Sequence, residues 1–99
     1  MTYPRIKTLT IDSHDGEPPL KWRMIELEGR AYYLALDVCP FYGLAADSDG
    51  DFRTALVAEG INFIDCRVDN MGEIIGPVAL ITQGEHERLA ASAVKRLAA

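Results

Sequence analysis

The run Ala31-Tyr-Tyr-Leu-Ala-Leu-Asp-Val-Cys-Pro-Phe-Tyr-Gly-Leu44 determines most of the topology open to this chain. β-favouring residues lead without a loop into a short helix. Ala31 to Ala35 is expected as strand, with the helix starting near Leu36 or Asp37. Asp37 either caps that helix or sits in its first turn, where a negative charge suits the helix dipole. Pro40 fits only if it also lies in the first turn, because a later proline removes a helical N–H bond. Gly43 ends the helix in a left-handed conformation. A polar turn, Ala45 to Asp49, then leads to a second helix. Asp47 or Ser48 is its expected cap, Glu59 its approximate end and Gly60 its stop, with Phe52, Ala55 and Leu56 as its core face. Gly50 near its start is a weak point, less favourable than Ala by about 1 kcal/mol if helical. Two short helices joined in this way make a helix-turn-helix-like corner, a common device for reading nucleic acid. The corner is nevertheless acidic, with Asp47, Asp49 and Asp51 at the opening of its second helix.

The flanking segments alternate with period two. Arg5 to Ile11 is expected as a strand, followed by a turn-rich loop, Asp12 to Pro19, that places His14 on the surface. Leu20 to Glu28 and the strand after Gly29-Arg30 form a β-hairpin, Gly supplying the positive φ of the turn. Ile61 to Val68 and Glu73 to Ile81 form a second hairpin about an Asp69–Gly72 turn. Gly76-Pro77 interrupts its return strand, which must be an edge or bulged there, since proline donates nothing to a ladder. Thr82 and Glu85 are spaced as a capping box for a final helix from about Gln83 to Leu97. Leu89, Ala90, Ala93, Val94 and Leu97 form its apolar stripe. The expected fold is α+β: a small sheet from two hairpins and an N-terminal strand, with about three helices.

The chain, 99 residues long, reads as a single domain with one small core. No apolar run approaches the ~20 residues of a membrane helix, and the N-terminus lacks the apolar stretch of a secretory signal, which points to the cytoplasm. Cys39 and Cys66 make neither a disulfide scaffold nor a zinc site, and both read as buried small hydrophobes. A net charge of −5 argues against reliance on phosphate contacts and for a protein partner.

Tyr33, Ala35, Asp37, Val38, Cys39, Gly43 and Leu44 match a pattern of aromatic, Ala-x-Asp-Val-Cys and, a few residues on, Gly. With the order of elements around it, this run resembles the N-terminal domain of BRO-type and phage antirepressor proteins. The resemblance covers roughly Trp22 to Leu97, with Ile81-Thr-Gln-Gly-Glu85 a loose echo of the family's closing helix start. It implies either DNA binding or capture of a repressor protein, in a bacterial host cell. Two departures separate this chain from the family pattern: Leu36 stands where the family has lysine, and the second helix carries acids where the family often carries bases.

Catalytic constellations are thin. Glu85, His86, Glu87 and Arg88 read as a charged, solvated helix turn, and no cluster has metal-ligand spacing. The Asp47, Asp49 and Asp51 alternation begins like a calcium loop, but the twelfth position is Ala58. The expectation is therefore a binding protein without catalysis, cofactor or metal. Two surfaces compete for the binding role. An acidic and aromatic patch of Tyr32, Tyr42, Asp47, Asp49 and Asp51 suits a basic partner such as a repressor or other DNA-binding protein. A basic set of Lys21, Arg23, Arg30 and Arg53 suits DNA phosphates. A homodimer is a further expectation, through the edge near Gly76-Pro77 or the small-residue helix Leu89 to Ala99.

Overall fold

The computed structural model describes residues 3–11, 16 and 20–98, so the expected surface position of His14 lies outside the described residues. The order is β1 (Lys7–Ile11), β2 (Leu20–Leu27), β3 (Arg30–Leu34), α1 (Ala35–Phe41), α2 (Arg53–Ala58), β4 (Ile64–Asn70), β5 (Glu73–Thr82) and α3 (Gln83–Ala98). The strands form one antiparallel sheet in the order β1-β2-β3-β5-β4, the α+β architecture expected from the sequence.

Both hairpins turn on two residues. Leu27 pairs with Arg30 across Glu28-Gly29, and Asn70 pairs with Glu73 across Met71-Gly72. All four turn residues have positive φ, the geometry whose twist matches that of antiparallel strands. The bulge foreseen near Gly76-Pro77 is present as a register shift between Cys66 and Val68 on the facing strand. Gly76 has φ +115°, and a Cβ there would lie 2.9 Å from the Val78 nitrogen and 3.0 Å from the Cys66 carbonyl. Only glycine fits so close to the neighbouring backbone.

The edge strands of the order are β1 and β4, and β5 lies between β3 and β4; β3 pairs only with Leu80 to Thr82, so the Gly76-Pro77 segment is laddered on its β4 side alone. The two edges meet at one end. Arg5 forms a parallel bridge with Asp69, whose carbonyl accepts the Ile6 N–H at 2.9 Å and whose N–H donates to the Pro4 carbonyl at 2.8 Å. The sheet therefore curls. One face collects Ile25, Leu34, Val68, Val78 and Leu80, with Ile6 packed against them. The other carries Tyr33, Ala79 and Ile81 beneath α1, α2 and α3, which contribute Val38, Cys39, Leu56 and Leu89. Burial of each large aliphatic side chain in these clusters stabilises by about 1.5–3 kcal/mol.

Several element boundaries differ from the sequence expectation. β3 opens at Arg30 and α1 at Ala35, one residue ahead of Leu36. Pro40 lies in the second turn of α1, beyond the first turn expected for it. The helix is so short that this proline deletes one N–H bond near its end. Gly43 does follow the C-cap residue Tyr42 with φ +77°. β4 starts at Ile64 and runs to Asn70, later than the expected 61–68. The largest shift is in α2, which begins at Arg53 and not at Asp47 or Ser48; Gly50, at φ +86°, is a turn residue outside the helix. Val94, expected in the core stripe of α3, is 65% exposed. Cys39 is fully buried, as expected, whereas Cys66 is only half-buried and donates its thiol to the Arg67 carbonyl.

Candidate functional site: an acidic groove beside the α1–α2 connection

The connection between α1 and α2 is organised by its aspartates. The Gly50 N–H donates to the Asp47 carbonyl, and the Asp47 N–H donates to the Asp51 carbonyl at 2.7 Å, which closes a tight loop. Asp47 then reaches forward, its Oδ2 accepting the Thr54 N–H at 3.1 Å in the first turn of α2. It thus serves the helix start from a distance, although it is not the cap residue. Hydrogen bonding by Thr54, through its side chain first and then its N–H, holds the Asp47 carboxyl below its ordinary range. Asp49 Oδ1 accepts the N–H of Asp51 at 2.9 Å.

Asp51 has a different role from its neighbours. It is only 5% exposed, and its two oxygens accept the N–H groups of Phe52 at 2.8 Å and Ala79 at 2.9 Å. A carboxylate buried in this way is satisfied by backbone donors, as burial demands. Asp51 is therefore an internal tie and cannot be a surface contact, contrary to its place in the expected partner patch.

Arg53, the first residue of α2, faces three carboxylates: Asp65 at 2.7 Å, Asp49 at 3.1 Å and Asp51 at 3.5 Å. Its remaining nitrogen donates to the Pro77 carbonyl at 2.9 Å. These charges keep the guanidinium protonated, raising its pKa through Asp65 first. They line a groove of about 580 Å³ whose apolar side is Leu36, Pro77 and Val78. Asp49 and Asp65 keep 60% and 47% of their side-chain surface exposed. One guanidinium against three carboxylates leaves the groove negative.

The expected basic set does not assemble. Arg53 is held by the acids just named. Arg23 is bound in a forked pair to Asp37, Nη2 to Oδ1 at 2.7 Å and Nε to Oδ2 at 3.0 Å, while its backbone N–H donates to the same carboxylate. The mutual geometry suits a partly buried pair, and it raises the Arg23 pKa through the Asp37 hydrogen bonds. Lys21 and Arg30 are exposed. They stand near opposite ends of the hairpin, since Arg30 pairs with Leu27, six residues from Lys21, a separation of about 20 Å along the strand.

The aromatic half of the acidic patch also divides. Tyr32 and Tyr33 point to opposite faces of β3, as alternation requires. Tyr33 faces the helices, its ring 5.0 Å from that of His86, and Tyr42 lies 5.7 Å from His86 on the same side. Tyr32 packs against the cluster on the other face. Tyr32 and Tyr42 therefore do not share a surface. What remains of the expected patch is Asp47 and Asp49, joined by Asp65, which sequence reasoning missed. The i, i+4 spacing of Asp49 and Arg53 was available as a signal, but Asp65 enters only through the pairing of β4 with β5.

His86 is a second correction. It is 7% exposed and does not belong to a solvated turn. It stands three residues before Leu89 and four before Ala90, on the face of α3 that meets the sheet. Trp22 at 4.6 Å, Tyr33 and Tyr42 surround its ring, and the Tyr42 hydroxyl is 2.9 Å from Nε2. Tyr33 in turn donates its hydroxyl to Gln83 Oε1 at 2.6 Å. The capping box holds in one direction, Thr82 Oγ1 accepting the Glu85 N–H at 3.3 Å. The Glu85 carboxylate accepts instead from the Asn62 N–H and from Arg88.

Among the described residues, no three His, Cys, Asp or Glu side chains converge as a metal site, and no helix is long and apolar enough to cross a membrane. The chain matches no protein-family model, no curated protein and no solved structure.

Proposed function

We propose that this chain is a regulatory binding protein of the phage antirepressor kind, which captures a repressor or other DNA-binding protein through a basic surface of that partner. The observation that carries this reading is the state of Arg53. The one arginine on the corner helix is occupied by Asp49, Asp51 and Asp65, so the corner presents surplus negative charge where a phosphate-binding helix would present positive. A lysine or arginine from a partner would meet Asp49 and Asp65 at the groove while its aliphatic stem lies on Pro77 and Val78. The resemblance of the Ala35-Leu-Asp-Val-Cys39 run to antirepressor domains supports the same class of partner.

The competing reading is direct DNA binding through Lys21 and Arg30. Titration against duplex DNA at about 50 mM salt, where phosphate binding is strongest, separates the two. The proposed function predicts no shift of the DNA by the chain alone. It also predicts release of DNA from the captured partner, and loss of that release in Asp49→Lys. A salt-sensitive DNA complex of the chain alone would overturn it.

A further inference from the structure

The environment of His86 has no part in the proposed binding site, and its role is independent of that reading. The imidazole sits where four parts of the fold meet: β2 through Trp22, β3 through Tyr33, the end of α1 through Tyr42, and the first turn of α3, which bears it. Its ring is steeply inclined to two aromatic rings, with interplanar angles of 70° to Trp22 and 63° to Tyr33. Nε2 has the Tyr42 hydroxyl, but buried Nδ1 has no hydrogen-bond partner among the described residues. In the neutral ring this leaves a single unsatisfied nitrogen, whichever tautomer is present. In the protonated ring, both nitrogens carry hydrogens, Nδ1–H has no acceptor, and a full charge is enclosed in an aromatic box.

We propose that His86 is an acid-sensitive latch: its protonation releases α3 from the sheet and from the end of α1. The groups that act on it from each neighbouring element are few. Tyr42 offers a hydroxyl and Trp22 an indole ring. The Tyr33 hydroxyl is turned to Gln83, and on α3 itself Glu87 is the charge that favours the protonated form. Burial outweighs Glu87 and holds the imidazole below its ordinary value. A histidine whose folded pKa is depressed stabilises fully above its unfolded pKa of about 6.5. Its contribution is lost as pH falls below that point. The opening constant of this contact then rises by up to tenfold per pH unit until the folded pKa is reached.

The latch has a built-in reporter, because Trp22 is the sole tryptophan and its ring lies 4.6 Å from the imidazole. The experiment follows Trp22 emission and urea stability of the full chain between pH 7.5 and about 5, in the wild type and in His86→Phe. The expected result is a loss of stability and a change in emission below about pH 6.5 in the wild type, with that component absent from the variant. A parallel measurement does not depend on the variant folding. In His14→Asn the remaining imidazole is His86, and its proton resonances report its titration directly. Neutrality well below pH 6.5, ending only as the α3 amides begin to exchange, supports the latch. Titration at or above pH 6.5 in an intact fold overturns it, as does an identical pH dependence in wild type and His86→Phe.

Discussion

The Asp51 carboxylate accepts the backbone N–H of Ala79, 2.9 Å away and 28 residues along the chain. Through this bond the loop before α2 is fixed to β5, on the same strand segment that carries Pro77 and Val78 of the groove. Its other oxygen holds Phe52, the residue at the start of α2. The groove thus owes its shape to the most deeply buried of the carboxylates that line it.

Asp51→Ala should be strongly destabilising. It leaves two buried backbone donors unpaired and removes one of the three carboxylates around Arg53. The expected loss is about 3 kcal/mol, with Asp51→Asn less damaging because its carbonyl oxygen still accepts one bond. Urea denaturation of the two variants checks both the size and the order.

Asp49 and Asp65 should behave in the opposite way. Both are largely exposed, and exposed pairs with arginine contribute roughly 0–1 kcal/mol each. The double variant Asp49→Asn with Asp65→Asn should therefore keep its fold within about 1–2 kcal/mol of wild type. Its association with a basic partner should slow and lose salt dependence, which surface plasmon resonance at two ionic strengths would show.

The two cysteines should differ in reactivity. Burial, reinforced by the charge of Asp51, pushes the Cys39 thiol up to about 12, so almost none of it is thiolate at pH 8. Cys66 is half-buried on β4. Iodoacetamide at pH 8 should modify Cys66 first, and Cys39 only at the rate at which the fold opens. Mass spectrometry of the alkylated peptides distinguishes the two.

Gly76→Ala should cost roughly 2–3 kcal/mol, because the added Cβ enters a left-handed conformation and meets backbone at 2.9 and 3.0 Å. Neither contact is with a flexible side-chain end. Glycine at position 29, by contrast, has open space around its missing Cβ, so Gly29→Ala should show only the conformational part of the penalty. The difference between their denaturation midpoints isolates the steric share.

The sequence carries clear signals wherever local chemistry decides. The two glycine turns, the Thr82 cap, the end of α1 at Gly43 and the bulge at Pro77 follow from single residues with strong backbone preferences. Function-bearing positions are less legible because they depend on partners remote in sequence. Asp51 reads as one of three similar acids until Ala79 arrives to take its second oxygen. Arg53 reads as a free cation until β4 brings Asp65 to it. His86 lies between two glutamates, which suggests a solvated turn; its spacing to Leu89 points inward, and packing follows the spacing. The start of α2 falls later than its acids suggest because acids that favour a helix N-terminus can act across several residues of loop, as Asp47 does on Thr54.

The strand order has a consequence for synthesis. β5 is the last strand made, yet it lies between β3 and β4. On the ribosome, the β2–β3 hairpin can close early, but β4 has no neighbour in the sheet until β5 emerges, apart from the clasp between Asp69 and residues 4–6. The early hairpin and the late one are united in a single step, when Leu80 to Thr82 pair with Tyr32 to Leu34. A nascent chain that stalls before residue 80 holds two pieces joined by no more than that clasp, with an open seam between them. Contacts of such long sequence separation are those that form slowly, so this seam is the stretch of the molecule most exposed to chaperones and proteases during its birth.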